Sequence, residues 1–239
     1  FGPFMRTGGM TPYNQGLGFS AVLSKYFEFA LNISELLSPI NEYMKAVDAV
    51  IRERLNSDVV LFRTVGDYII QAGGKRMRPA MLLMVARALG YEGAMHHLLA
   101  AVVEFIHTST LLHDDVVDES DLRRGRSTAN AVFGNAASVL VGDYLYSRSF
   151  EMMVEADSMR VMQVFSKATT IIAEGEVLQL LNVHDPDVSL ERYLQVVRYK
   201  TAKLFEAAAQ VGAIVAHASP EQEAAAAAYG RHIGTAFQL

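Results

Sequence analysis

Residues 101–118 read AVVEFIHTSTLLHDDVVD. Ala101, Val102, Phe105, Ile106 and Leu112 recur at the three- and four-residue steps that build one face of an α-helix. The run ends in acids, Asp114, Asp115 and Asp118, in the pattern D-D-x-x-D. On a helix Asp114 and Asp118 stand one turn apart on one face, and Asp115 lies about 100° round from Asp114. Three carboxylates this close repel one another, and like charges four residues apart destabilise a helix. A hard divalent cation removes that penalty, and Mg²⁺ takes one or two carboxylates together with substrate phosphate oxygens. A solvated acidic helix end is the ordinary explanation of such a cluster. Here the acids stand where an apolar, core-facing helix emerges, which favours a working site.

Outward from this stretch the same periodicity continues. Val47, Val50, Ile51 and Leu55 keep helical spacing, as do Val65, Tyr68 and Ile69, and then Val161, Val164, Phe165, Ala168, Ile171 and Ile172. Ser219-Pro220-Glu221-Gln222 predicts a helix start with Pro at the first position and a capping-box Gln. Asn182–Asp187, with Pro186, ends a helix, and Ser189 caps the next. Ala207–Ala209 and Ala224–Ala228 favour helix and close helix packing. No strand-period run and no Gly-rich nucleotide loop after a strand is present. The pattern predicts one all-α domain over 33–239. Residues 1–32, rich in Gly and aromatics with only Arg6, Lys25 and Glu28 charged, are expected to be a loosely ordered extension.

Composition narrows the function classes. With 51% hydrophobic and 20% charged residues the chain can fill a core, which excludes global disorder. Zero Cys excludes a disulfide scaffold, thiolate zinc and a Cys nucleophile. A net charge of −5 argues against a general nucleic-acid partner. The longest uncharged stretches are interrupted by Gly, Asn, Ser and Thr, so no transmembrane segment is expected. Without a targeting signal the expected location is the cytoplasm.

Two basic clusters flank the acids in sequence. Arg123-Arg124-Gly125-Arg126 follows them directly, and arginine forks match phosphate oxygens. Gly73-Gly74-Lys75-Arg76-Met77-Arg78-Pro79 opens a helix, where Lys75 and Arg78 are three apart and a helix N-terminus favours an anion. Two anion sites around one metal cluster point to two diphosphate substrates. His107, seven residues before Asp114, lies on nearly the same helical face as the acids.

The segments G-G-K-R-x-R-P, H-T-x-x-L-L-H-D-D-V-V-D, D-x-R-R-G, K-T and G-T-A-F-Q, in that order, resemble the trans-type polyprenyl diphosphate synthases. The match runs from about Ile33 to Leu239, and its wording is most similar to the octaprenyl-forming branch of the bacterial long-chain members. The resemblance implies an isoprenoid-synthase-type helical bundle around a central cavity, working as a homodimer. It implies head-to-tail condensation of isopentenyl diphosphate onto an allylic diphosphate such as farnesyl diphosphate, yielding a long all-trans polyprenyl diphosphate for a quinone side chain. By the same resemblance Asp114, Asp115 and Asp118 bind Mg²⁺ at the allylic diphosphate, which Arg123 contacts. Lys75, Arg78, His107 and Arg124 hold isopentenyl diphosphate, and Lys200, Thr201 and Gln238 bind the allylic diphosphate end. Small Ser109 and Thr110, where large aromatics would plug the tunnel, imply a long product, with Met152, Met153 and Phe165 as candidate tunnel floor. A second acidic motif is implied after Phe237-Gln238-Leu239, so residues 1–239 alone are expected to be poorly active.

Three rivals are weaker. A helical metal phosphohydrolase at His113-Asp114, drawing on His96, His97, His107 and Asp143, leaves Asp115, Asp118 and Arg123-Arg124 unexplained. A terpene cyclase needs only one diphosphate site. A non-catalytic regulatory subunit is expected to lose its metal acids, and this cluster is intact.

Overall fold

The periodic apolar residues become helices that bury the predicted face. The computed structural model describes residues 35, 37–71, 73–183 and 185–239. The predicted extension over 1–32 lies outside the described residues. The chain divides after Pro39, and Ile40–Leu239 forms one unit.

Helix α1 (Asn41–Arg54) buries Val47 and Ile51, and α2 (Val60–Gln71) buries Val65. Helix α3 (Met77–Ala88) starts within the first basic cluster, and α4 (Met95–Val117) is the stretch that carries the acids. A short α5 (Ala129–Phe133) leads into α6 (Asn135–Glu155), followed by α7 (Met159–Leu181). Helix α8 (Leu190–Val196) runs through a π turn, Val197–Ala202, into α9 (Lys203–Val215), and α10 (Pro220–Gln238) follows. The predicted caps form: Ser189 accepts from the Arg192 N–H, and Ser219 and Gln222 close a reciprocal capping box.

Helix α4 is central. It packs against α6, α3, α1 and α9, while α9 also meets α10, α3 and α7. Small residues make this crowding possible. A Cβ on Gly212 of α9 would lie 2.6 Å from the Leu82 carbonyl of α3, and one on Gly234 of α10 would lie 2.7 Å from Ala202 Cα. Phe105, Phe165 and Phe205 fill the space between helices and are fully buried. Truncating any one of them to Ala costs about 3–5 kcal/mol, because the void closes only partly.

One element lies below the reach of periodicity. Strands β1 (Leu122–Arg123) and β2 (Arg126–Ser127) pair antiparallel, Leu122 opposite Ser127. Two residues per strand cannot show an alternation. The turn between them holds Arg124 at φ 54° and Gly125 at φ 75°, the signs that a type I′ hairpin turn requires. Holding a non-glycine residue in the left-handed region costs about 1 kcal/mol. Here that conformation aims the Arg124 side chain back across the bundle to the Gly73 carbonyl.

Candidate active site

Two cavities open on different sides of α4 and adjoin at its acidic end. His107, Thr108, Leu111, Leu112 and Asp115 line a cavity of about 560 Å³, while Ile106, Ser109, Thr110, His113, Asp114 and Val117 line one of about 470 Å³. At 100° per residue the two sets centre on different sides of the helix and adjoin where His107 and Asp114, seven residues apart, stand only about 20° from each other. One helix thus presents two chemistries.

The first cavity is basic. Lys75, Arg76, Arg78, Arg123, Arg124 and Arg126 face two carboxylates, Glu104 and Asp115, so cations are in large excess. Arg78 Nη1 stands 3.1 Å from His107 Nε2, and its guanidinium lies 4.7 Å from the Phe205 ring centre. Arginine has no acceptor, so Nε2 accepts and the His107 proton sits on Nδ1. Burial drives the His107 pKa well below its usual value, and the charges of Arg78, Arg124 and Arg123 drive it the same way. His107 is therefore a neutral donor in a cationic cavity. Burial also pulls the Arg78 pKa down to about 10, against the raising charge of Glu104, so Arg78 stays charged at neutral pH. Lys75 Nζ sits 5.6 Å from the Phe237 ring centre, which places the end of α10 against the first basic cluster.

The second cavity joins an acidic rim to an apolar wall. Asp114, Asp118, Asp143 and Glu176 share it with Ile106, Tyr146, Ile172, Val177 and Leu180. Lys200 Nζ lies 2.5 Å from Glu176 Oε2 and 3.4 Å from Asp114 Oδ2. The π turn places it there: Gly175 of α7 has no side chain, and a Cβ would stand 2.7 Å from the Lys200 backbone N. Burial raises the Asp114 pKa, opposed by Lys200 and helped by the Asp118 charge. Burial raises Glu176 as well, opposed by the hydrogen bond from Lys200. Burial alone would lower Lys200, but the Glu176 hydrogen bond and the Asp114 charge outweigh it and raise the pKa.

The sequence-derived residues separate between the two faces. Lys75, Arg78, His107 and Arg124 come together in the basic cavity, and Asp114, Asp118, Ser109 and Thr110 in the acidic one. Asp115 does not join its two neighbours. Its 100° offset turns it into the basic cavity, where Arg123 binds it through Nε at 3.0 Å and Nη2 at 2.7 Å. Arg123 accordingly lies with Arg124 in the basic cavity, held by Asp115, while its charge also acts on Asp114. Among the described residues no three His, Cys, Asp or Glu side chains gather closely enough to hold a metal ion by themselves. Thr201 donates to Gln238 Oε1 at 3.1 Å, tying the π turn to the end of α10.

Met152, Met153 and Phe165 are buried but do not line the second cavity; Tyr146, Thr169 and Ile172 do. Ser109 is engaged with α6, donating to the Gly142 carbonyl at 2.8 Å. His96 and His97 lie against Tyr43 near the start of α4, far from His113, so the hydrolase ligand set is not assembled. Sequence reasoning missed Glu104 and Glu176. Glu104, three residues before His107 on the same helix, carried a usable signal; Glu176 meets Lys200 only through folding.

Among the described residues no helix is long and apolar enough to cross a membrane. The sequence profile described as Polyprenyl synthetase matches residues 59–239. Octaprenyl diphosphate synthase of Escherichia coli (strain K12) is 56% identical over 209 residues, covering 87% of this chain and 65% of the relative. The crystal structure of a decaprenyl diphosphate synthase from Rhodobacter capsulatus superposes with a TM-score of 0.84 at 50% identity, covering 87% of this chain and 64% of that one. A polyprenyl synthase from Caulobacter crescentus CB15, complexed with calcium and isoprenyl diphosphate, gives 0.85 at 45% identity, covering 87% and 63%. The chain thus spans just under two thirds of the length of these relatives. Both cavities draw their linings from the matched region, and by sequence profile and fold alike the chain belongs to the polyprenyl synthetase family.

Proposed function

We propose that the chain carries the active site of a trans-prenyltransferase that condenses isopentenyl diphosphate head-to-tail onto an allylic diphosphate. Repeated cycles make an all-trans polyprenyl diphosphate of octaprenyl length, of the kind used for quinone side chains. The observation that carries this reading is the division of α4 into a basic face and an acidic, apolar one. One diphosphate fits the first. A metal-bound diphosphate with a hydrocarbon tail fits the second.

In the basic cavity Lys75, Arg78 and Arg124 bind the isopentenyl diphosphate, and neutral His107 donates through Nδ1 without adding charge. Arg123, fixed by Asp115, presents its remaining N–H groups toward the reacting diphosphates. In the second cavity Lys200 pairs with Asp114 and Glu176, Asp118 stands beside them, and burial disfavours the charged form of Asp114 and Glu176. As hard oxygen donors, Asp114 and Asp118 would hold Mg²⁺ there together with a bound diphosphate. When bound, it supplies Lewis-acid stabilisation of the leaving diphosphate.

The allylic C–O bond breaks and its electron pair leaves with the diphosphate. The isopentenyl double bond attacks the allylic carbon, and the departed diphosphate takes up the proton whose loss forms the new trans double bond. Lys200 steadies the charge on the leaving group, and Thr201 with Gln238 holds the π turn that carries Lys200. Ile106, Ile172, Val177 and Leu180 offer the growing hydrocarbon an apolar wall, with Ser109 and Thr110 too small to stop it. Leu140 and Val154 remain exposed on α6, which supports a homodimer through that face.

The test expresses the protein from its complete gene and supplies farnesyl diphosphate, labelled isopentenyl diphosphate and Mg²⁺, with an EDTA control. Metal-dependent products of octaprenyl length are expected after dephosphorylation. Products that stop after one or two additions would refute the long-chain reading. Absence of elongation by a folded protein would refute the transferase reading and favour a regulatory subunit.

A further inference from the structure

A carboxylate on the wall of an anion site is a contradiction unless it has a task. Glu104 lines the basic cavity, where its charge repels any phosphate. Its side chain is 15% exposed, and its Oε1 lies 3.3 Å from Arg76 Nη1. The other guanidinium nitrogen of Arg76, Nη2, lies 3.5 Å from Asp48 Oδ1 on α1. Arg76 is therefore pinned between two helices and faces away from a free role as a phosphate ligand. It also caps α3 from the left-handed region, at φ 48°. An isolated Arg does not hold that conformation unaided. It stands between Lys75 and Arg78, so the direction of both side chains depends on where Arg76 is fixed.

We propose that Glu104 is a positioning residue that, with Asp48, clamps Arg76 and so aims Lys75 and Arg78 into the basic cavity. The clamp rests on the reading of this cavity as the isopentenyl diphosphate site. Burial, helped by the Asp48 charge, raises the Glu104 pKa against the opposing charges of Arg76, Arg78 and Arg124. Its task is geometric: it spends some attraction for the phosphate on holding the loop in one conformation.

Charge and clamp predict opposite signs. If Glu104 acts only as a charge, Glu104→Gln removes repulsion and tightens the diphosphate, whereas Arg76→Gln weakens it. If Glu104 acts through Arg76, both substitutions loosen the loop. Each then raises KM for isopentenyl diphosphate about tenfold, the order expected for loss of one largely buried ion pair. The double variant is no worse than either single one, because both break the same contact. KM for the allylic diphosphate and kcat stay within about threefold, because Asp114 and Asp118 stand about 15 Å or more along α4 from Glu104.

The experiment measures both KM values and kcat for the wild type, the two single variants and the double variant, with thermal melts to verify folding. Calorimetric titration of the same proteins with inorganic diphosphate in EDTA reads the basic cavity without turnover. Should Glu104→Gln fail to fold, Asp48→Asn at the exposed end of the clamp decides, with an expected weakening of about threefold. Unchanged or tighter diphosphate binding by Glu104→Gln, or additive penalties in the double variant, would overturn the clamp. A wild type without prenyl transfer would refute the functional reading alone, leaving the titration to judge the clamp.

Discussion

Gly175→Ala is the substitution whose two consequences pull hardest against each other. Alanine is the better helix former, a gain of up to about 1 kcal/mol within α7. The new Cβ, however, would sit 2.7 Å from Lys200 N and 2.9 Å from Tyr199 Cβ. Comfortable contact begins near 3.5 Å, so the π turn must retreat by about 0.8 Å. Overpacking of this kind costs about 1–3 kcal/mol. At the middle of that range the clash wins, leaving a net loss of about 1 kcal/mol and a fall in Tm of about 3 °C. The retreat also carries Lys200 away from Asp114, already 3.4 Å distant, and past ion-pair range. A misplacement approaching 1 Å at a reacting site costs up to about 100-fold in rate. The assay pairs a thermal melt with steady-state kinetics in which each diphosphate is varied in turn. We expect kcat/KM for the allylic substrate to fall about 10- to 100-fold, with KM for isopentenyl diphosphate within about twofold. An unchanged or raised Tm with unchanged kinetics would refute the reasoning, because the close approach of α7 to the π turn would then not position Lys200.

Thr110→Phe fills the second cavity beside Asp114 and is expected to shorten the products, while Tyr146→Ala on the opposite wall lengthens them; product sizing after dephosphorylation decides. Ser219→Ala removes the α10 capping box and costs about 1 kcal/mol, a fall in Tm of about 3 °C with kinetics unaffected. His96 is fully buried, and burial, with the charges of His97 and Arg87, holds its pKa at about 4 against 6.5 when free. The unfolded chain takes up that proton first. The stability tied to neutral His96 is thus complete above pH 6.5 and is lost as pH falls toward 4. His96→Phe should flatten the dependence of Tm on pH across that window, and a wild-type Tm that does not fall there would count against the burial argument.

Much of the architecture is legible in neighbours one to four residues apart. Apolar spacing fixes the faces of α1, α2, α4 and α7, and Ser189 and Ser219 mark where α8 and α10 begin. The same local arithmetic places Asp114 and Asp118 together and Asp115 100° away. It could not say what Asp115 would face. That required β1 and β2 to fold back and bring Arg123 to it across eight residues of chain. The tunnel floor failed for a related reason. Met152, Met153 and Phe165 are apolar and helical, but periodicity does not distinguish a residue that lines a cavity from one that fills a core.

The amino-acid sequence by itself determined the helices, their caps, and the order in which two basic clusters and one acidic cluster meet the solvent. Only the tertiary structure decided which side chains are free to act. Arg76 reads like Lys75 and Arg78 but is held by Asp48 and Glu104 from two other helices. Lys200 reaches Asp114 because Gly175, on a different helix, leaves room for a π turn. The reason is physical. Helix periodicity and capping are satisfied within a turn or two of the backbone, whereas pairing a buried charge depends on whichever partner the packing delivers.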